Sequence, residues 1–162
     1  MLVFDLDQTV IDSRHRTPLN SNGKVDIPKY VLKQTKKHIN RDKIMPLAAL
    51  LQEEYKKQTY IIICTARKMT QYDYDFLKRH NINYHEIYER GNVPAEIASL
   101  PDALYKMHCL KKYKDVNYTF YDDSSEVINL FKNYSNVNMI DSIEKNKLMA
   151  QNLVNHGDQI HG

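Results

Sequence analysis

Three short apolar runs, Leu2–Leu6, Thr59–Cys64 and Asn117–Tyr121, each lead straight into polar, reactive side chains. The first meets Asp5 and Asp7, the second Thr65 and Arg67, the third Asp122 and Asp123. Runs of this length, separated by helical patterns, are the signature of buried strands joined by crossover helices. Such an alternation restricts the chain to a parallel sheet with helices on both faces. In an open sheet of that kind, ligands bind outside the carboxyl ends of the strands. The polar residues that terminate these runs are therefore candidates for a site. Two carboxylates delivered to one strand end repel each other and call for a cation, a proton or a substrate.

The remaining pattern fills in around these runs. Residues 12–27 are rich in turn formers and read as a loop. Pro28 suits a first helical position, and Val31, Leu32, Thr35 and Ile39 mark a short helical stripe. Helices are expected over 44–56, 68–80, 100–113, 124–131 and 142–154, with further strands over 84–88 and 137–140. The polar residues 155–162 read as a C-terminal tail following a single domain over 1–154. The expected architecture is α/β: a Rossmann-like, doubly wound parallel sheet of about five strands without a large cap domain. Residues 10–58 hold only a loop and two helices, and residues 66–105 only a crossover helix, a strand and a loop.

The bulk properties narrow the class. A length of 162 residues suits one domain with a real core. The longest wholly apolar run, Tyr60–Cys64, is far short of the ~20 residues a membrane helix needs. The apolar residues ahead of Asp5 are too few for a secretion signal. Only two cysteines occur, Cys64 and Cys109, in no zinc or redox spacing. A soluble, cytoplasmic protein is the expectation. The net charge of +3 permits anionic partners without demanding them.

The chemistry available to these residues is phosphoryl transfer. Asp5 is placed to act as a nucleophile toward phosphorus, splitting one displacement into two. Asp7 is placed to protonate the leaving oxygen and later to deprotonate water. Asp122 and Asp123, with Asp5, form a hard-oxygen donor set suited to Mg²⁺. Thr65 can donate to a phosphoryl oxygen, and Lys106 can balance the charge of the transferring group. Taken singly, each has a plainer reading. Asp5 and Asp7 suit a turn, Asp122, Asp123 and Thr65 suit helix caps, and Lys106 suits a solvated surface. Their joint occurrence at successive strand ends favours catalysis.

Phe4-Asp5-Leu6-Asp7-Gln8-Thr9, Ile63-Cys64-Thr65, a helical lysine and Phe120-Tyr121-Asp122-Asp123 together resemble the haloacid dehalogenase superfamily of phosphotransferases. The resemblance spans nearly the whole chain. It implies Asp5 as nucleophile, Asp7 as acid/base, and Mg²⁺ held by the Asp5 side chain, the Asp7 main-chain carbonyl and the Asp122–Asp123 pair. Gln8 departs from the pattern, since the superfamily usually has glycine there. A closer similarity is to the 3′-phosphatase module of bacteriophage-type polynucleotide kinase-phosphatases. It rests on Met45-Pro46-Leu47, Thr65-Ala66-Arg67, Arg90-Gly91, and Asp102 spaced four residues from Lys106, where it would orient the lysine. No GxxxxGK[ST] phosphate loop accompanies these motifs, so a stand-alone phosphatase is expected.

That similarity implies a phosphomonoesterase acting on nucleic-acid 3′ ends or nucleotides. The alternative is a 5′(3′)-deoxyribonucleotidase acting on free mononucleotides; a non-catalytic nucleic-acid-binding protein on the same fold is the alternative of another class. Thr9, Arg16, Arg67 and Arg90 are the expected substrate contacts, the arginines as bidentate phosphate partners. Lys24, Lys29, Lys33, Lys36, Lys37, Arg41 and Lys43 form a basic segment that suits a phosphodiester backbone or, equally, a solvated face. Tyr72, Tyr74 and Tyr88 are candidates for stacking on a base.

Overall fold

A computed structural model describes the backbone of residues 1–160 and the side chains of residues 1–157. The chain runs β1 (Leu2–Phe4), β2 (Ile11–Asp12), a 3₁₀ turn (Arg14–Arg16), α1 (Ile27–Leu32), α2 (Lys36–Ile39), β3 (Lys43–Ile44), α3 (Pro46–Lys56) and β4 (Ile61–Cys64). It continues through α4 (Gln71–Arg79), β5 (Glu86–Tyr88), α5 (Ala95–Ala98), α6 (Asp102–Leu110), a second 3₁₀ turn (Lys111–Tyr113), β6 (Tyr118–Asp122), α7 (Ser125–Phe131), β7 (Val137–Asp141) and α8 (Ser142–Ile160). Five strands form one sheet in the order β5-β4-β1-β6-β7. Every pairing in it is parallel, with Phe4 opposite Ile63 on one side and Tyr121 on the other. This is the expected doubly wound α/β sheet. The chain lays down β1, builds outward through β4 and β5, then returns to add β6 and β7 on the other side. The winding reverses beside β1, so the ligand crevice belongs at its carboxyl end.

Period-two alternation divides each strand between two cores. Phe4, Ile61, Ile63 and Tyr121 pack on one face with Leu47, Leu51, Phe76 and Leu77 of α3 and α4. Val3, Ile62, Cys64, Tyr118 and Phe120 pack on the other with Tyr105, Leu110, Val127 and Phe131 of α6 and α7. All four residues of β4 are buried, as a strand covered on both faces requires.

The expected elements recur with trimmed ends, and three differences have physical causes. The stripe after Pro28 is two short helices, because Thr35 adopts extended backbone and caps α2 through His38 N–H. Helix α8 continues to Ile160, where residues 155–160 read as tail, and the rest of that tail lies outside the described residues. Strands β2 and β3 pair antiparallel, Ile11 with Ile44 and Asp12 with Lys43. Two residues per strand give no periodicity, so the sequence holds no signal for them. This ribbon closes residues 13–42 into a small insert beside the carboxyl edge of the sheet. The insert is minor, and no large cap is present among the described residues.

The insert is fastened by a buried charge. Arg16 is wholly buried, and its guanidinium forks onto Asp42, Nε to Oδ1 at 2.8 Å and Nη2 to Oδ2 at 2.7 Å. Its Nη2 also reaches Asp73 of α4 at 3.3 Å, and Nη1 donates to Gln34. Removing one partner of a buried pair leaves an uncompensated charge, which costs about 3 kcal/mol or more. Asp42→Ala is therefore expected to destabilise the protein by about 3 kcal/mol in urea unfolding. A loss below about 1 kcal/mol would show that the pair does not fasten the insert.

Candidate active site

The carboxyl ends of β1, β4 and β6 converge on one point. Asp5 follows β1 directly, with its N–H bonded to the Tyr121 carbonyl of β6 at 2.9 Å. Asp122 ends β6, and Lys106 reaches in from α6. The Lys106 ammonium donates to Asp5 Oδ1 at 2.8 Å and to Asp122 Oδ2 at 2.6 Å, with only 3% of its side chain exposed. Asp122 Oδ1 accepts from Ser124 N–H at 2.9 Å, at the start of α7. Asp123 completes the group: one carboxylate oxygen each from Asp5, Asp122 and Asp123 lie within 4.8 Å of one another.

The electrostatics of this cluster are those of a cation site. Three carboxylates against one ammonium leave a formal excess of two negative charges. Burial raises the Asp5 carboxyl well above its ordinary range; Lys106 pulls it down, while Asp122, Asp123 and Asp7 push it further up. Burial likewise raises Asp123 to about 6, with Asp122 adding to the rise. Burial alone would discharge Lys106, but Asp122 and Asp5 hold it firmly protonated. Without a counter-ion the cluster favours holding a proton. Hard oxygen donors with two surplus negative charges fit a divalent cation of the Mg²⁺ type.

Asp7 lies two residues on, with 32% of its side chain exposed. Arg67 donates to both of its oxygens, from Nε to Oδ2 at 3.2 Å and from Nη2 to Oδ1. Ser13 Oγ also donates to Oδ1. Burial works to raise the Asp7 carboxyl, but the charge and hydrogen bonds of Arg67, with Ser13, hold it below its ordinary value. Arg67 Nη1 turns to Asp73 Oδ1, the same oxygen that Arg16 approaches. A buried chain of ion pairs thus runs from Asp42 through Arg16, Asp73 and Arg67 to Asp7.

The turn that follows the two acids is held from several sides. Thr9 Oγ1 lies 2.8 Å from Ser142 Oγ and 3.5 Å from Asp5 Oδ2. Asn146 Nδ2 donates to the Thr9 carbonyl at 3.0 Å, while its Oδ1 accepts from Leu47 N–H at 2.9 Å. Thr65 is wholly buried, and its Oγ1 accepts from Arg67 N–H at 3.1 Å, which shapes the loop after β4.

Asp5, Asp7, Lys106, Asp122, Asp123, Thr65, Thr9 and Arg67 all meet at this edge. Three expected roles do not survive. Arg16 has no free face for a substrate, being spent on Asp42, Asp73 and Gln34. Arg90 is bound to the carbonyls of Ala66 at 2.7 Å and Leu100 at 2.9 Å, and stacks 4.5 Å over Tyr105. Asp102 pairs with Arg90 at 2.6 Å rather than orienting Lys106. The i,i+4 spacing places the two residues on neighbouring turns, but Lys106 turns in to the sheet while Asp102 stays 59% exposed. Of the stacking candidates, Tyr74 packs against the α3/α4 core and Tyr88 against the α6 core. Ser13, Asp73, Ser142 and Asn146 went unnoticed in the sequence. Only Asp73 had a readable signal, the Thr70-x-x-Asp73 capping box that starts α4.

A parallel sheet of this order, with paired acids after its central strand, a buried lysine and an acidic pair after the neighbouring strand, defines a haloacid dehalogenase-type fold. A haloacid dehalogenase-like hydrolase from Streptococcus pneumoniae shares it, with a TM-score of 0.61 over 85% of this chain and 81% of that one, at 16% identity. The profile described as bacteriophage T5 5′-deoxynucleotidase matches residues 1–161, and the chain belongs to that family. The 5′-deoxynucleotidase of Escherichia phage T5 is 28% identical over 156 residues, covering 83% of this chain and 64% of the phage protein. The chain thus spans just under two thirds of that relative's length. Among the described residues, no helix is long and apolar enough to cross a membrane.

The raised carboxyls have a consequence for stability. A carboxyl whose value is raised in the folded state binds more protons there than in the unfolded chain, so its contribution falls as pH rises. For Asp123 the fall begins near its unfolded value, about 4, and ends near its folded value, about 6. Thermal midpoints of the metal-free protein across that window are expected to decline less steeply in Asp123→Asn than in wild type. An unchanged slope would contradict the crowding of charge described here.

Proposed function

We propose that the protein is a phosphomonoesterase acting on free deoxynucleoside monophosphates, through an aspartyl-phosphate on Asp5. The observation that carries the reading is the convergence of Asp5, Asp7, Lys106, Asp122 and Asp123 at the carboxyl edge of the sheet. Membership of the T5 5′-deoxynucleotidase family supports the mononucleotide over a nucleic-acid 3′ end. It favours what was the alternative from the sequence over the polynucleotide reading. Arg16 and Arg90, expected to hold substrate phosphates, are both spent inside the fold, which leaves Arg67 as the expected arginine that faces the site.

In the first half-reaction a carboxylate oxygen of Asp5 attacks phosphorus and the bond to the nucleoside oxygen breaks. Asp7 gives its proton to that oxygen as it leaves. In the second, Asp7 takes a proton from water, the water oxygen attacks phosphorus, and the bond to Asp5 breaks to release phosphate. Lys106 keeps Asp5 oriented and offers positive charge beside the transferring group. Thr9 Oγ1 lies 3.5 Å from Asp5 Oδ2, beside the attacking carboxylate. Asp7 must be protonated for the first step, yet Arg67 engages both of its oxygens. The substrate's phosphate dianion offers Arg67 a second anion to grip, which would free Asp7 to hold a proton. Asp5, Asp122 and Asp123, with the Asp7 carbonyl, would hold Mg²⁺. When bound, the cation screens the repulsion between nucleophile and phosphate and stabilises the charge of the transferring group.

Two measurements test this reading. Phosphate release from a deoxynucleoside 5′-monophosphate is expected to exceed release from a 3′-phosphorylated oligonucleotide, and to fall to background in Asp5→Asn. Preference for the oligonucleotide would restore the polynucleotide reading, and full activity of Asp5→Asn would end the nucleophile assignment. Chelation of divalent cations is expected to abolish turnover and Mg²⁺ to restore it. Asp123→Asn should then require more Mg²⁺ for half-maximal rate, and undiminished turnover in chelator would remove the cation from the account.

A further inference from the structure

Gln8 sits in the tight turn after Asp7, its N–H bonded to the Ile11 carbonyl at 2.7 Å. Its φ of +61° lies in the left-handed region, where glycine is at ease and a branching Cβ is crowded. Its side-chain Oε1 is shut away from solvent with no hydrogen-bond partner. Both are costs, and costs of this kind gather where a site needs a particular side chain. The other end of the same amide does have a partner. Gln8 Nε2 lies 3.4 Å from Ser13 Oγ, and Ser13 Oγ in turn donates to Asp7 Oδ1. Ser13 is wholly buried at the end of β2, where the insert begins. A hydroxyl has one proton to give, and Asp7 takes it, so the lone pairs of Ser13 are free to accept from Gln8.

We propose that Gln8 and Ser13 are positioning residues for Asp7: a two-step hydrogen-bond chain, Gln8 to Ser13 to Asp7, that keeps the carboxyl aimed at the leaving oxygen. The inference rests on Asp7 being the acid/base of the reaction proposed above. Arg67 fixes the same carboxyl but is also the group that must let go when a phosphate arrives. Ser13 and Gln8 carry no charge for the phosphate to attract. They hold Oδ1 in place while the arginine changes partners, and the strained backbone of Gln8 is the cost of putting an amide there.

The test separates positioning from packing by the leaving group. A nucleoside alkoxide needs a proton to depart, whereas p-nitrophenolate departs nearly unaided. Gln8→Gly relieves the left-handed strain, so its thermal midpoint should equal or exceed that of wild type. Its kcat/KM on a deoxynucleoside 5′-monophosphate, which reads the steps only up to departure of the leaving group, should nevertheless fall about tenfold, a fraction of what a misplaced general acid typically costs. On p-nitrophenyl phosphate the fall should stay within about twofold. Ser13→Ala should repeat the selective loss. Asp7→Asn serves as the reference and should display the same selectivity in larger form. If Asp7→Asn is selective while Gln8→Gly loses nothing, or loses equally on both substrates, the positioning chain is wrong. If Asp7→Asn itself shows no selectivity, the acid/base reading of Asp7 falls and takes the chain with it.

Discussion

The Lys106 ammonium, buried between Asp5 and Asp122, is the interaction on which the site depends. It draws the ends of β1 and β6 and the middle of α6 to one point, since a charge taken out of water must find partners there. The same contact sets the direction of Asp5, because Oδ1 is committed to the lysine and Oδ2 is left toward Thr9 and the crevice. Yet the lysine supplies only one positive charge to a group of three acids. Burial, with the crowding of like charge added to it, keeps the Asp5 and Asp123 carboxyls raised, and the surplus of negative charge suits a cation. Structure and reactivity therefore come from one imbalance of charge.

A second chain of charges ties the insert to this centre. Asp42 holds Arg16, Arg16 approaches Asp73, Asp73 holds Arg67, and Arg67 holds Asp7. Each link is buried or nearly so, where such pairs are rigid and costly to leave half made. Tyr30 of α1 also lies within the field of Asp7, and burial pushes its hydroxyl up to about 12. The small insert is thus not a loose loop over an open site but a structural neighbour of Asp7. That placement explains why arginines that looked like phosphate ligands are structural: the fold needed their charge to seal the insert and the loop after β5.

How much of this was legible follows from the kind of signal involved. Strands β1, β4 and β6 carry dense apolar runs ending in reactive residues, so their identity and the edge they form could be read from the chain. Asp5, Asp7, Thr65, Asp122 and Asp123 stand at the ends of those runs, and Lys106 lies on the helix that precedes β6. The ribbon of β2 and β3 was not, since pairs of residues have no period. Ser13, Ser142 and Asn146 are ordinary polar residues whose partners lie 6, 133 and 137 positions away along the chain. No local pattern reports such contacts. Asp102 departs from expectation for the opposite reason: its four-residue spacing from Lys106 is real, but Lys106 turns in to Asp5 and Asp122 while Asp102 pairs with Arg90. The polynucleotide reading rested on short segments such as Thr65-Ala66-Arg67 and Arg90-Gly91, and on the Asp102–Lys106 spacing, which say less about the molecule that carries the phosphate than about the fold that receives it.

The account stands on Asp5 being the atom donor to phosphorus, and the covalent intermediate can be looked for directly. Asp7→Asn removes the group that activates water, so an aspartyl-phosphate once formed should persist. Rapid acid quench of that variant with p-nitrophenyl phosphate bearing radiolabelled phosphate, whose leaving group departs without a proton from Asp7, followed by peptide mapping, is predicted to place the label on the peptide containing Asp5. Label that is absent from the protein while p-nitrophenolate is still released, or that survives when Asp5→Asn is added, would contradict the account.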